Sequence, residues 1–190
     1  MKEVDAVALT GHEAFELNEL LLSCTNSIQS MGFFIHSAKD PELKAMIQKH
    51  MAAHVQDYNM KIEFASKGSA QQKLAVPMMP AKMLSNANTI SQAVTPNPQA
   101  TAFDDRAIAV SYLLTLKRAG REYAWATFEA NEPQLRSFLE DAFTMCSRHA
   151  FEVSQWLEQR GHYPVENAPI GYLQKLTQTY QPVRQMAGVH

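Results

Sequence analysis

The chain has 190 residues, of which 46% are hydrophobic and 19% charged, and its formal net charge is −2. This composition indicates one globular domain with a sizeable core and excludes an intrinsically disordered chain. The charge provides no basic field, so we expect no nucleic-acid partner and no attraction to an anionic membrane. No stretch approaches the roughly 18 apolar residues of a membrane span, and the N-terminus lacks a signal core, which predicts synthesis in the cytoplasm.

Capping signals predict where four long helices begin. Thr10 and Glu13 form a capping box, and Asp40 precedes a proline at the first helical position. A second capping box is predicted at 131–134 and a weaker one at 101–104. Together with the apolar periodicity that follows each start, these signals predict helices at about 11–38, 41–67, 102–129 and 132–160.

Residues at spacings of three and four define the predicted core face of each helix. They are Ala14, Leu17, Leu21, Cys24, Ile28 and Met31 in the first helix; Leu43, Ile47, His50, His54, Tyr58 and Ile62 in the second; Ala107, Val110 or Ser111, Leu114 and Tyr123 in the third; and Leu135, Phe138, Ala142, Met145, His149, Val153 and Trp156 in the fourth. The two cysteines, Cys24 and Cys146, are expected to be buried core residues and not a disulfide.

The lengths of the connections predict the topology. Links of about two residues make antiparallel hairpins of the first and second helices and of the third and fourth. A proline-containing segment, 68–101, is long enough to cross the whole bundle. The predicted fold is therefore an all-α, ferritin-like four-helix bundle over residues 1–164, up-down-down-up, followed by a tail, 165–190, with a short helix near 172–180. Two independent hairpins joined by a linker are the alternative.

Histidines on the predicted core faces raise the question of a metal site. Ferritin-like di-metal sites use Glu-x-x-His on two helices, but the positions three before the core histidines hold Ile47, Met51 and Cys146. His50, His54, His149 and Glu16 stay open as weak metal-ligand candidates. The favoured interpretation is that the histidines are buried and bonded to Glu or Tyr of facing helices. No catalytic or cofactor-binding residue is predicted, and no cofactor.

Two segments resemble the CotF-like spore coat proteins of endospore-forming bacteria. The first is LTGHEAFELNELL at 9–21, and the second is HAFEVSQWL at 149–157 with the GHYP that follows at 161–164. The resemblance covers about 9–67 and 102–164 and consists of core and cap residues. It implies a ferritin-like bundle that lacks the metal ligands, made in the mother cell and then placed in the spore coat.

Two functions follow as hypotheses. The first is a non-enzymatic coat or sporulation-linked assembly protein that contacts other spore coat proteins, with a homodimer as the default oligomer. The second is a metal-binding bundle, with a di-metal or zinc site and an oxidoreductase or storage role. A small-molecule site between the helices is a third possibility, although nothing in the sequence names a ligand.

Overall fold

The computed structural model describes residues 9–83 and 93–183, and the regular structure in these ranges is helical. The helices are α1 (Gly11–Ser37), α2 (Pro41–Lys67), α3 (Asp105–Glu129), α4 (Pro133–Gln159) and α5 (Ile170–Thr179). The predicted all-α class is confirmed. Within the described ranges, none of these helices combines the length and apolarity needed to cross a membrane. Residues 84–92 of the predicted crossover lie outside the described residues, as do 1–8 and 184–190.

The helix starts show which capping predictions hold. The Thr10 capping box forms, and the Asp40 side chain accepts the N–H of Leu43. The predicted box that begins at Asn131 is wrong, because the N-cap of α4 is Glu132. The residue before a proline avoids helical backbone angles, so Pro133 forces Glu132 to be the extended cap. Similarly, α3 begins at residue 105 instead of 102, because the cap is the side chain of Asp104.

Burial corrects the predicted core faces of three helices. Every predicted core residue of α4 is buried, but in α1 the core follows Leu20 and Ser27 instead of Leu21 and Ile28. In α3, Leu114 is 58% exposed and its predicted place is taken by Leu113. The buried residues of α2 are Leu43, Met46, Ile47, His50, His54, Asp57, Met60, Lys61 and Phe64, so the predicted Tyr58 and Ile62 are wrong.

Contacts between helices give their directions. Near the start of α1, the Glu13 carboxylate accepts the N–H of Asn131 at 2.8 Å, and after its end the Lys39 N–H donates to Asp105 at 2.7 Å. α1 and α3 therefore run in opposite directions. Glu13 also accepts from the Glu132 N–H and from Thr10. Although burial raises its pKa, these donors outweigh that effect and hold the pKa of Glu13 below its ordinary value.

The same reasoning orients α2 and α4. Arg160, after the end of α4, pairs with Asp40 before α2, and the ring of Phe64 packs on Phe138 at 5.3 Å between centroids. α2 and α4 therefore run in opposite directions. Each hairpin is joined by a short link, so α2 and α3 start at the same end of the molecule. The chain between them must travel back over the length of a 27-residue helix, about 40 Å.

The described first part of the crossover, residues 68–83, lies along α4. The Gln134 side chain bonds the backbone of Ala70, and Arg148 donates to the carbonyl of Pro77. Further on, Gln155 accepts the N–H of Met83 and donates to the carbonyl of Ala81. The crossover therefore follows α4 from its first turn to its last, and its Ala70 and Leu74 side chains join the core.

We expect Gln155→Ala to loosen the crossover without unfolding the helices. Two hydrogen bonds to the crossover are lost, each contributing about 1 kcal/mol, so the open form should increase about thirtyfold. Lys82 is exposed between the two bonded residues, and trypsin cleavage after it measures the opening. Ser154→Ala is the control, since that hydroxyl bonds only its own helix at Phe151. An unchanged cleavage rate in Gln155→Ala would refute this role.

Candidate functional site

The first buried polar cluster, here called the histidine cluster, lies between α2, α3 and α4. His50 Nδ1 lies 3.0 Å from the Tyr112 hydroxyl, and its Nε2 lies 3.0 Å from the Glu152 carboxylate. Lys49 donates to the same carboxylate from the surface. The prediction that a core histidine bonds Tyr and Glu of facing helices is therefore confirmed for His50.

The other two histidines bond each other. The His149 ring stacks on His50 with 3.6 Å between centroids, and its Nδ1 lies 3.3 Å from Nε2 of His54. Burial lowers the pKa of His54 to about 4 and that of His149 to about 2. Burial also lowers the pKa of His50, although Glu152 opposes this shift. The cluster is therefore uncharged on its imidazoles at neutral pH.

The stacked rings of His50 and His149 do not converge on a metal ion. The lone pairs of an imidazole lie in the ring plane, so two stacked rings aim theirs along parallel planes and not at a common point. Both nitrogens of His50 also have protein partners already. Across residues 9–83 and 93–183, no group of three or more His, Cys, Asp or Glu side chains is arranged to hold a metal.

Glu16, the fourth candidate ligand, is not brought to the histidines. It lies 3.7 Å from His12 one turn earlier and lines a surface groove with Trp125 and Arg118. That position is in the first turns of α1, near the end of α3. His50 bonds Tyr112 near the start of α3, at the other end of the bundle. Glu16 was a candidate ligand by its residue type. Its distance from the histidines depends on the register between helices, which the sequence does not give.

A second buried cluster, here called the Lys61 cluster, was missed by the sequence reasoning. The Lys61 ammonium lies 2.5 Å from Asp57 Oδ2, 2.8 Å from the Tyr123 hydroxyl and 3.2 Å from Cys24 Sγ. Its Nζ is also 5.5 Å from the ring centroid of Phe138. Because these neighbours come from all four long helices, the ammonium lies near the axis of the bundle.

Asp57 organises the Lys61 cluster. Its Oδ2 accepts hydrogen bonds from Tyr123 at 2.7 Å and Cys24 at 3.1 Å in addition to Lys61, whereas Oδ1 has no partner among the described residues. Burial opposes a charged Lys61, but the Asp57 carboxylate outweighs it and raises the pKa of the ammonium. Burial and Asp57 raise the pKa of the Cys24 thiol to about 11. At neutral pH the cluster is a buried ion pair with a protonated thiol.

The spacing of α2 contained the signal for the Lys61 cluster. Starting from His50, steps of four, three and four residues lead to His54, Asp57 and Lys61, which keeps one face of a helix. Tyr58 and Ile62 were predicted because core positions are usually apolar. They continue from His54 in steps of four only, and repeated steps of four rotate gradually away from the core. An Asp and a Lys four residues apart can be buried together because they neutralise each other.

Comparisons with known proteins agree with this architecture. The family model of the Coat F domain matches residues 104–166, which include α3, α4 and the turn that follows. The resemblance to the CotF-like spore coat family is confirmed. A crystal structure from Bacillus halodurans, named as that of a candidate spore coat protein, is similar with a TM-score of 0.62 and 14% identity. The match covers 85% of this chain and 95% of that one and shows a shared fold, whereas no curated protein matches this chain.

Proposed function

We propose that this CotF-like chain is a non-enzymatic structural component of the bacterial endospore coat, or a sporulation-linked assembly protein. The Coat F match over residues 104–166 supports a role in the spore coat. The proposal extends to a ferritin-like bundle over 1–164 with a tail at 165–190. Its partners would be other spore coat proteins and a second copy of itself.

The proposal that the chain is not an enzyme is supported by the position of the Lys61 ammonium at the bundle axis. In carboxylate-bridged di-metal bundles, this interior holds Glu and His ligands that converge on cations. Here a fixed positive charge lies among Asp57, Tyr123 and Cys24, and it would repel a cation at close range. The carboxylate is already neutralised by the lysine. This arrangement supports a structural role for the interior over that of a redox centre.

The coat role is tested by fractionating spores. We expect a tagged copy of the chain, expressed from its own promoter in its spore-forming host, to appear in the coat extract. The same tag on an abundant mother-cell enzyme is the control for carry-over. Consistent absence of the chain from the coat extract, together with its presence in the mother-cell fraction, would refute the proposal.

The metal-binding alternative is tested by elemental analysis of the purified chain. After growth with iron, manganese and zinc, we expect less than about one metal per ten chains, because His50 is already bonded to Tyr112 and Glu152 and the Asp57 carboxylate is paired with Lys61. His149→Gln is the matched variant and should leave that low content unchanged. A content near one metal per chain that falls in His149→Gln would favour the metal-binding function instead.

A further inference from the structure

The short helix α5 exposes an apolar face to solvent. Helical spacing places its apolar residues on one side and its polar residues on the other. The apolar side consists of Ile170, Tyr172, Leu173, Leu176 and, at the C-cap, Tyr180; the polar side consists of Gly171, Gln174, Lys175 and Gln178. All ten helical residues are exposed. A helix of this length is marginal in water on its own, so its apolar side needs a surface to pack against.

A groove of about 730 Å³ between α1 and α3 offers such a surface. Leu22 and Trp125 line it, and they are 66% and 68% exposed. The stripe continues along both helices, because Phe15 and Phe33 lie seven before and eleven after Leu22 on the same face of α1. Leu114 lies eleven residues before Trp125 in the same way. The groove therefore has an apolar stripe set among charged side chains, and no described residue covers this stripe.

We infer that α5 of a second copy occupies this groove and that the second copy receives α5 of the first in exchange. The connection to α5 leaves the bundle beside α3, where the Tyr163 hydroxyl accepts a hydrogen bond from Lys117 at 2.9 Å. Six residues, 164–169, follow and span at most about 20 Å. Lys117 is next in sequence to Arg118, which lines the groove, yet the chain leaves its own α5 exposed, which favours an occupant from another molecule.

The sizes of the two surfaces suit an exchanged dimer. α5 has ten residues and a length of about 15 Å, so it matches roughly three turns of the groove. Burying an aromatic side chain removes roughly 150–250 Å² from water. Tyr172, Tyr180, Phe15 and Trp125 are each more than half exposed. Covering them in both copies buries on the order of 1,000 Å², which is close to the lower end for stable interfaces.

Charge does not oppose this docking. The one charged residue of α5 is Lys175, on its polar side. The groove is lined by Glu16, Glu19 and Glu122 as well as by Arg118 and Arg121, and Glu122 pairs with Arg118. Lys175 would therefore stay in solvent when the apolar side docks, away from the two arginines of the groove. This inference rests on the proposed assembly role for its biological meaning, but its test uses the purified chain alone.

The test is light scattering on size-exclusion fractions of the full chain, from about 1 to 200 µM. We expect the native chain to form a dimer. Leu173→Glu with Leu176→Glu in α5 should weaken it at least about a hundredfold, and so should Leu22→Glu with Trp125→Glu in the groove. Gln174→Glu with Gln178→Glu adds the same charges to the polar side and should dimerise normally. Circular dichroism checks folding, which these exposed sites should not disturb.

Mixing the α5 variant with the groove variant tests whether α5 of one copy binds the groove of another. One variant keeps its groove and the other keeps its α5, so an equimolar mixture keeps one of the two exchanged contacts. It should form a one-to-one complex that is weaker than the native dimer, although each variant alone is monomeric. A native chain that stays monomeric would overturn the inference, because α5 would then cover its own groove or await a different protein. A native dimer would overturn it too if the mixture associated no more at 200 µM than either variant alone. Neither result bears on whether the chain reaches the spore coat.

Discussion

Lys61→Ala is expected to lower the free energy of unfolding by about 3–5 kcal/mol, because it leaves the Asp57 carboxylate buried without its counter-charge. Neither side chain is accessible to water, and Oδ1 of Asp57 already lacks a partner. For a chain of this size, the loss corresponds to a fall in melting temperature of about 10 °C or more. Urea unfolding followed by circular dichroism measures it.

Two further variants separate the ion pair from ordinary side-chain loss. Lys67→Ala removes an exposed lysine from the end of the same helix and should change stability by less than about 0.5 kcal/mol. Asp57→Leu combined with Lys61→Met removes both charges and keeps apolar volume, so it should recover most of the stability lost in Lys61→Ala. If Lys61→Ala and Lys67→Ala lower the free energy of unfolding by the same amount, the buried Asp57–Lys61 pair does not stabilise the fold as predicted.

Acid is expected to destabilise the chain from about pH 6.5 downward. The folded state holds the pKa of His54 at about 4 and that of His149 at about 2, below the ordinary 6.5 of an exposed histidine. In the unfolded chain both bind protons as the pH falls through 6.5, so stability decreases there. Each contributes about 1.4 kcal/mol per pH unit, which gives about 3–4 kcal/mol between pH 6.5 and pH 5.

The pH dependence can be assigned with variants. Glu13, Asp40 and Glu152 have lowered pKa values, so the stability that they contribute is lost only below about pH 4.5. Denaturant unfolding at pH 7.5, 6.5, 5.5 and 5 therefore isolates the histidines. His54→Gln and His149→Gln should each reduce the slope, whereas the exposed His36→Gln should not. A native chain whose stability is flat between pH 7 and pH 5 would contradict the prediction.

The sequence by itself determined the all-α class and the position of each long helix. Local interactions dictate these features: the Thr10 capping box, Pro41 and Pro133 in the first turns, and Gly68 at a positive φ of 71°. It also determined the core face of α4, because that helix has apolar residues and one histidine at regular spacing. The links of a few residues made each hairpin antiparallel. Each of these features depends on residues close together in the chain.

The tertiary structure alone decided which polar groups meet. Asp57 lies one turn before Lys61 on the same helix, but Tyr123 and Cys24 reach the ammonium from two other helices, and no local pattern predicts the register that brings them there. The same holds for the histidines. Their positions on the predicted core faces made them candidate ligands, but their rings stack on one another in the folded core. Glu16 has a carboxylate suited to a metal ligand, but it lies at the opposite end of the bundle from His50. The sequence shows which side chains could bind or react. The distances between side chains on different helices, which decide whether they form a site, are fixed by packing between helices.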